Sequence, residues 1–349
     1  MELSEASEEE KVARDLLTHA PWGAPLDLDS WLRRERRLRA HPWSAGMRTW
    51  FLREGGEVLS SCETFAMRST AGSEAGTSYG VASVFTEERH RGRGHATELL
   101  RRVHARLSAE DRLAQAFILF SEVGAGIYER AGYAARREWD EDLVFPPSTA
   151  AGPGAAEPAP EEELARVLAC APPPPRRGFA VDDSPGAGEA REERLNEAAH
   201  QLAGGVRVVD PPRGFLVWPS AEQLDWHRER ERIYAEVLGR PRAPGCGARH
   251  RDGVVIWTGN LRSDRLYLLL LRAETAEAAS ALVEAARRAA AATGLGAVHL
   301  WKCPLPEGWS PESASGRLVP RDQALPMIHP LGPRVRAEDW TFIPRALWI

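Results

Sequence analysis

The 349-residue chain is long enough for two domains, and its 43% hydrophobic content is enough to bury two cores. A net charge of −5 and a pI near 6.1 argue against a general nucleic-acid binder, whose footprint is basic. The four cysteines (Cys62, Cys170, Cys246, Cys303) form no CxxC pair, so neither a zinc site nor a disulfide framework is expected and a reducing cytoplasm fits. The acidic start, MELSEASEEEKVARDLL, is wrong for a signal peptide, and no apolar run reaches the roughly 18 residues that a membrane helix needs. Of the 45 basic residues only Lys11 and Lys302 are lysines, a bias that fits a GC-rich genome better than a function.

In chain order, "EEEKVARDLL" and "DSWLRRERRLRA" predict helices, the second with Asp29 or Ser30 as N-cap. The basic run at 33–39 reads as a solvated helix face. "RTWFLREGGEVLSSCETFAMR" predicts a hairpin turning at Gly55–Gly56. "YGVASVF" predicts a strand, and "HATELLRRVHARLS" a helix with Leu99, Leu100, Val103 and Leu107 on one face. "QAFILF" is a short buried strand, "AGIYERAG" a brief helix, and "WDEDLVF" a last strand of this half. The strand–helix–strand unit needs a crossover, so its strands are expected to be parallel.

Composition breaks after Phe145. Pro/Gly/Ala-rich stretches on either side of "EELARVLACA", a short helical piece, read as a linker over 147–190. This places one domain at 1–146 and another at 191–349, both α/β or α+β. In the second, "DRLYLLLLRAE", "AEAASALVEAARRAAAATG" and "AVHLWKCPL" repeat the strand–helix–strand unit.

The stretch Arg91-Gly92-Arg93-Gly94-His95-Ala96 lies where a strand ends and a helix begins. A helix start offers unpaired N–H groups and the positive end of a dipole, and glycines let a backbone approach an anion. Arginines beside them suit a diphosphate. The plainer alternative is a solvated basic turn. Neither GxxxxGK[ST] nor GxGxxG is met, so this is neither a Walker loop nor a dinucleotide fingerprint.

About thirty residues on comes Ile127-Tyr128-Glu129-Arg130-Ala131-Gly132-Tyr133. Together the two motifs resemble the GNAT acetyltransferase superfamily. Its pyrophosphate loop, Arg/Gln-x-x-Gly-x-Gly/Ala, is matched by Arg91, Gly94 and Ala96, a register preferred over one starting at Arg89 because the helix follows directly, and its aromatic-Tyr-x-x-x-Gly-aromatic motif by Ile127 through Tyr133, with Ile in the first aromatic place. "HPWSAGMRTWFLRE", "VLSSCETF" and "EQLDWHRERERIYAEVLGRP" narrow the resemblance to the fungal lysine N6-acetyltransferase family and its bacterial relatives.

The resemblance implies two tandem GNAT-like domains with mixed sheets flanked by helices. It implies acetyl-CoA as cofactor, held by Val84, Phe85 and Thr86, by the loop Arg91, Gly92, Arg93, Gly94, His95 and Ala96, and by Ser121. It implies Tyr128 as general acid toward the leaving thiolate. The acceptor implied is a small-molecule amine such as free lysine, with neither nucleic acid nor membrane as partner.

Glu63, a carboxylate in an otherwise apolar strand pattern, is the candidate base or amine anchor; Cys62 beside it reads as core. In "DWHRER", Asp225 and Glu229 share a helix face and Trp226 lies beside them, so the three are candidates for holding an ammonium. The plainer reading there is a self-paired solvated face. No glycine nest precedes the second domain's helix at Thr275, so that domain is expected to be a degenerate copy that shapes the acceptor site. Homodimer formation or simple stabilisation are its plainer roles. A protein-directed acetyltransferase and a non-catalytic acyl-CoA sensor remain alternatives.

Overall fold

The computed structural model describes residues 1–150, 156–159, 214–321 and 323–349. Strand β1 (Glu2–Glu5) is followed by helix α1 (Glu8–Trp22), which starts at a capping box. Ser7 Oγ accepts from the Glu10 amide while Glu10 accepts from the Ser7 amide. Helix α2 (Leu28–Arg39) is capped by Asp27, which accepts from the Ser30 amide at 2.8 Å, and not by the expected Asp29 or Ser30. Both of those sit inside the first turn.

Strands β2 (Arg48–Glu54), β3 (Glu57–Ala71) and β4 (Glu74–Phe85) form an antiparallel meander, with the first turn at Gly55–Gly56 as expected. Helix α3 (His95–Glu110) crosses to β5 (Ala114–Ser121), which runs parallel to β4. Leu99, Leu100 and Val103 of α3 are fully buried against the sheet, with Leu107 beside them. The short helix α4 (Gly126–Glu129) and β6 (Ala134–Ala135) follow.

The next strand departs from the expected order. β7 (Glu141–Phe145) does not finish the first sheet. It lies in the second, between β13 (Ala297–Trp301) and β14 (Arg317–Pro320). The place beside β5 is taken instead by β15 (Leu325–Pro330), which pairs antiparallel with β5 over six positions and also reaches β6. Each half of the chain thus contributes a strand to the other's sheet. Apolar runs such as "DLVF" and "LPMI" announce strands but carry no information about their partners.

The second sheet is completed by β8 (Glu157–Pro158), β10 (Gly247–His250), β11 (Gly253–Asn260) and β12 (Arg265–Ala273), while β9 (Phe215–Trp218) pairs with the far end of β3. Helix α5 (Ala221–Leu238) packs on α2 and β11, and α6 (Ala276–Thr293) covers the sheet with Ala279, Leu282, Val283 and Ala286 buried. β12 and β13 are parallel across α6, as the repeated unit predicts. The helical piece expected at 162–171, Cys170 included, and most of the expected 147–190 linker lie outside the described residues.

Candidate active site

The first sheet opens where β4 and β5 part. They pair only from Thr77–Ala114 to Gly80–Ile118, and beyond that Val81–Phe85 and Leu119–Ser121 are no longer bonded to one another. Ser83 adopts a left-handed φ of +52°, and the β3–β4 register slips between Ser61 and Glu63. A bulge of this kind bends a strand and re-aims its side chains. Buried Arg14 of α1 braces it. Nε donates to Ser61 at 2.9 Å, one terminal nitrogen to Glu63 Oε1 at 3.0 Å, and the other to the Ser83 carbonyl.

A cavity of about 270 Å³ occupies the split. Val81 to Val84, Leu119, Phe120, Glu63 and Tyr128 line it from the first half; Trp226, Arg230, Tyr234 and Trp348 line it from the second. Sequence reasoning missed Arg14, Arg34 and Arg39, which also line the cavity. The missed signal lies in the helix polarity. In α1 the buried residues are Arg14, Asp15 and Thr18, while Leu16 and Leu17 are exposed. The basic run of α2 is likewise not a solvated face: Arg34 is buried, Arg39 is gripped by both oxygens of Asp15, and Arg37 reaches Glu229 of α5.

The loop after β4 has the features an anion needs. Gly92 and Gly94 have φ of +77° and +79°, with open space where a Cβ would stand. Gly94 is the N-cap of α3 and supplies no side chain to its first-turn amides, at His95, Ala96 and Thr97. In the second half, by contrast, Thr275 Oγ1 accepts from the Ala278 amide at 3.1 Å, so that helix caps itself. Arg91 folds back to donate to the Thr86 carbonyl at 3.0 Å, and Arg93 is exposed. Ser60 ties the loop's start, bonding the Phe85 carbonyl and the Thr86 hydroxyl. Val84–Thr86 and the 91–96 loop thus adjoin the open side of β4. The uncapped amides and open glycines fit an acetyl-CoA diphosphate. Ser121 is differently employed: its hydroxyl donates to the Gly124 carbonyl and accepts from the Val123 amide, bracing the turn after β5.

Tyr128 of α4 borders the cavity and is 8% exposed. Its hydroxyl has no hydrogen-bond partner among the described residues. Burial pushes its phenol up to about 12, so it holds its proton across the neutral range. Tyr133 packs edge-on to it at 6.1 Å and is itself fixed by His104 at 2.8 Å. Cys62 is fully buried, and burial pushes its thiol up to about 12, in keeping with a core residue. No cluster among the described residues could hold a metal, and none of their helices is long and apolar enough to cross a membrane.

The candidates on α5 divide. Trp226 lines the cavity. Asp225 and Glu229 do not. Asp225 pairs with His41 and Arg232, and Glu229 with Arg37 and Arg232. Glu229 joins α5 to Arg37 of α2 and Asp225 joins it to His41, so both carboxylates have partners within the chain, which corrects the expectation that they face an ammonium.

A sheet split beside a glycine-capped helix, with a phenol at the split, is the architecture of a GNAT acetyltransferase. Family comparison agrees. An "Acetyltransferase (GNAT) domain" model matches residues 15–136, and a "LYC1 GNAT-like C-terminal domain" model matches residues 195–341. The chain belongs to the GNAT superfamily, whose cofactor is acetyl-CoA, and its second half is of the LYC1 C-terminal type. Among solved structures, a probable N-acyltransferase from Enterococcus faecalis V583 aligns over 94% of this chain and 72% of its own at 15% identity, with a TM-score of 0.53. That likeness shows the fold. A GCN5-related N-acetyltransferase from Anabaena variabilis covers the same shares at 14% identity and a TM-score of 0.49. A GNAT family acetyltransferase from Brucella melitensis, solved with acetyl-CoA, aligns over 38% of this chain and 82% of its own at 22% identity and a TM-score of 0.28. No curated protein matches the chain significantly.

Proposed function

We propose that the chain acetylates a primary amine of a small molecule, lysine or a related amine, in the cavity between the split of the first sheet and α5. The observation that carries this reading is that both halves of the chain line that cavity. One wall belongs to the acetyltransferase half, and Trp226, Tyr234 and Trp348 of the other half line the opposite side. About 270 Å³ suits a small acceptor better than a protein segment, which needs an open groove.

When bound, acetyl-CoA supplies a thioester carbonyl for attack by an amine. The rest falls to this chain's own groups. The 91–96 loop orients the diphosphate by its backbone amides. Tyr128 keeps a proton at Oη and donates it where negative charge gathers. Glu63, with Oε1 fixed by Arg14, leaves Oε2 for the acceptor's ammonium or its proton. A lysine-like amine has a pKa near 10.4, so freeing it at pH 7 costs about 4.6 kcal/mol, which a positioned carboxylate offsets in part.

The test is release of coenzyme A from acetyl-CoA with a panel of small amines, lysine-containing peptides and no acceptor. Turnover with small amines is expected. Turnover with peptides alone would favour protein acetylation, and tight acetyl-CoA binding without any turnover would favour a sensor.

A further inference from the structure

Tyr128 stands on a very short helix. α4 has four residues, too few to hold a helical shape unaided, so the direction of the phenol depends on what grips the helix from outside. Part of that grip is local. The Tyr128 carbonyl accepts from the Ala131 and Tyr133 amides at 2.9 and 3.0 Å, and the Tyr128 amide donates to the Ala125 carbonyl. Helix α3 adds Thr97, which donates to the Ile127 carbonyl, and Arg101, which donates to that of Arg130.

The rest comes from two histidines. His104 of α3 is buried and meets the Tyr133 hydroxyl at 2.8 Å, and Tyr133 sets its ring edge-on to Tyr128. Burial lowers His104 to about 3, with His329 alongside adding to the shift, so His104 is neutral at neutral pH. His329 of β15 stacks on it, the ring centres 4.5 Å apart and the planes 12° from parallel. The Nδ1 of His329 lies 2.8 Å from the Gly132 carbonyl. A carbonyl only accepts, so Nδ1 carries the proton and donates. Gly132 has a φ of +94°, and a Cβ there would come within 2.8 Å of His329 Nδ1 and 2.9 Å of its Cε1. The turn that ends α4 is therefore moulded on the His329 ring. That ring arrives on the exchanged strand, where His329 pairs in register with Phe117 of β5.

We propose that His329 is a positioning residue for Tyr128: through β15 the second half of the chain sets the Gly132–Tyr133 turn, and with it the point where the phenol delivers its proton. Misplacing a reacting group by about 1 Å costs up to on the order of a hundredfold in rate, so a contact that never touches substrate still bears on turnover. The second half then has a part in the acid step besides lining the acceptor side. This inference rests on Tyr128 being the acid.

The experiment measures coenzyme A release by the full chain with lysine and with cadaverine, in wild type, His329→Ala, Tyr128→Phe and the double variant. His329→Ala should lower kcat by on the order of tenfold and leave the KM for acetyl-CoA within about twofold of wild type. In the Tyr128→Phe background the same change should cost less than about twofold, because no acid is left to misplace. His329→Asn, which keeps a donor near Nδ1, should recover most of the loss, and His329→Phe, which keeps only the ring, should not. If His329→Ala does not fold, His329→Phe decides by the same comparison. A kcat within about twofold of wild type, or the same fold loss with and without the phenol, overturns the positioning role while acetyl transfer stands. Wild-type kcat in Tyr128→Phe removes the acid and this role with it. Coenzyme A release with neither amine overturns the proposed acetylation as well.

Discussion

The exchanged strands make residues 1–146 an incomplete sheet, and removing the rest of the chain should expose this. A fragment ending at 146 lacks β15, which pairs with β5 at six positions from Leu325–Ser121 to Pro330–Ala116. Met327 and Ile328 are fully buried there and Leu325 nearly so. At about 1.5–3 kcal/mol for each buried aliphatic side chain, the three contribute roughly 5–9 kcal/mol. A domain's whole stability is about 5–15 kcal/mol. The fragment also carries β7 without β13 or β14, leaving Leu143 and Phe145 in water. Urea unfolding followed by circular dichroism should show no cooperative transition for 1–146, and calorimetry little acetyl-CoA binding. A peptide spanning 314–349, added in trans, should restore part of both. If the fragment alone unfolds cooperatively and binds acetyl-CoA within a few-fold of the full chain, β15 is dispensable and this account of the fold is wrong.

Three further outcomes follow from the site. Tyr128→Phe should lower kcat by on the order of a hundredfold or more with little change in acetyl-CoA affinity; because burial pushes the phenol up to about 12, the wild-type pH profile should show no tyrosine-dependent fall below about pH 10. Gly94→Val forces a β-branched residue to a φ of +79° at the α3 N-cap, so it should weaken acetyl-CoA binding by tenfold or more, measured by calorimetry, and an unchanged Kd would remove the loop from the binding site. Calorimetry on the full chain should find one acetyl-CoA per chain, because Thr275 already caps the corresponding helix of the second half; two sites would contradict the difference drawn between the two helix starts.

The elements around the 91–96 loop were legible in the sequence because each carries its signal locally. Gly92 and Gly94 announce positive φ, Leu99, Leu100, Val103 and Leu107 announce a buried helix face, and Gly55–Gly56 announces a hairpin. Partners distant in sequence were not legible. Nothing in "DLVF" distinguishes pairing with β5 from pairing with β13, since an apolar run states that a strand is buried and not which neighbour buries it.

The acceptor side was misread for a different reason. Amphipathic reasoning assigns arginines to water. On α1 that rule inverts, with Arg14 and Asp15 buried while Leu16 and Leu17 are exposed, and on α2 it fails at Arg34, buried beside Trp31 and Leu38. A helix buries its polar face only where that face meets partners. Here Arg14 meets Ser61, Glu63 and the Ser83 carbonyl, and Asp15 meets Arg39. Asp225 and Glu229 followed the opposite logic. Their charge suits an ammonium, but their partners are Arg37, Arg232 and His41 of the protein itself. Once these pairs are taken out, the cavity-lining residues with an unpartnered buried polar atom include Arg34, Arg39, Trp226 and Tyr234. Local rules fail most where a surface is shaped for something other than its own chain, and on α1 the failure coincides with the cavity, which buried Arg14 and Thr18 line.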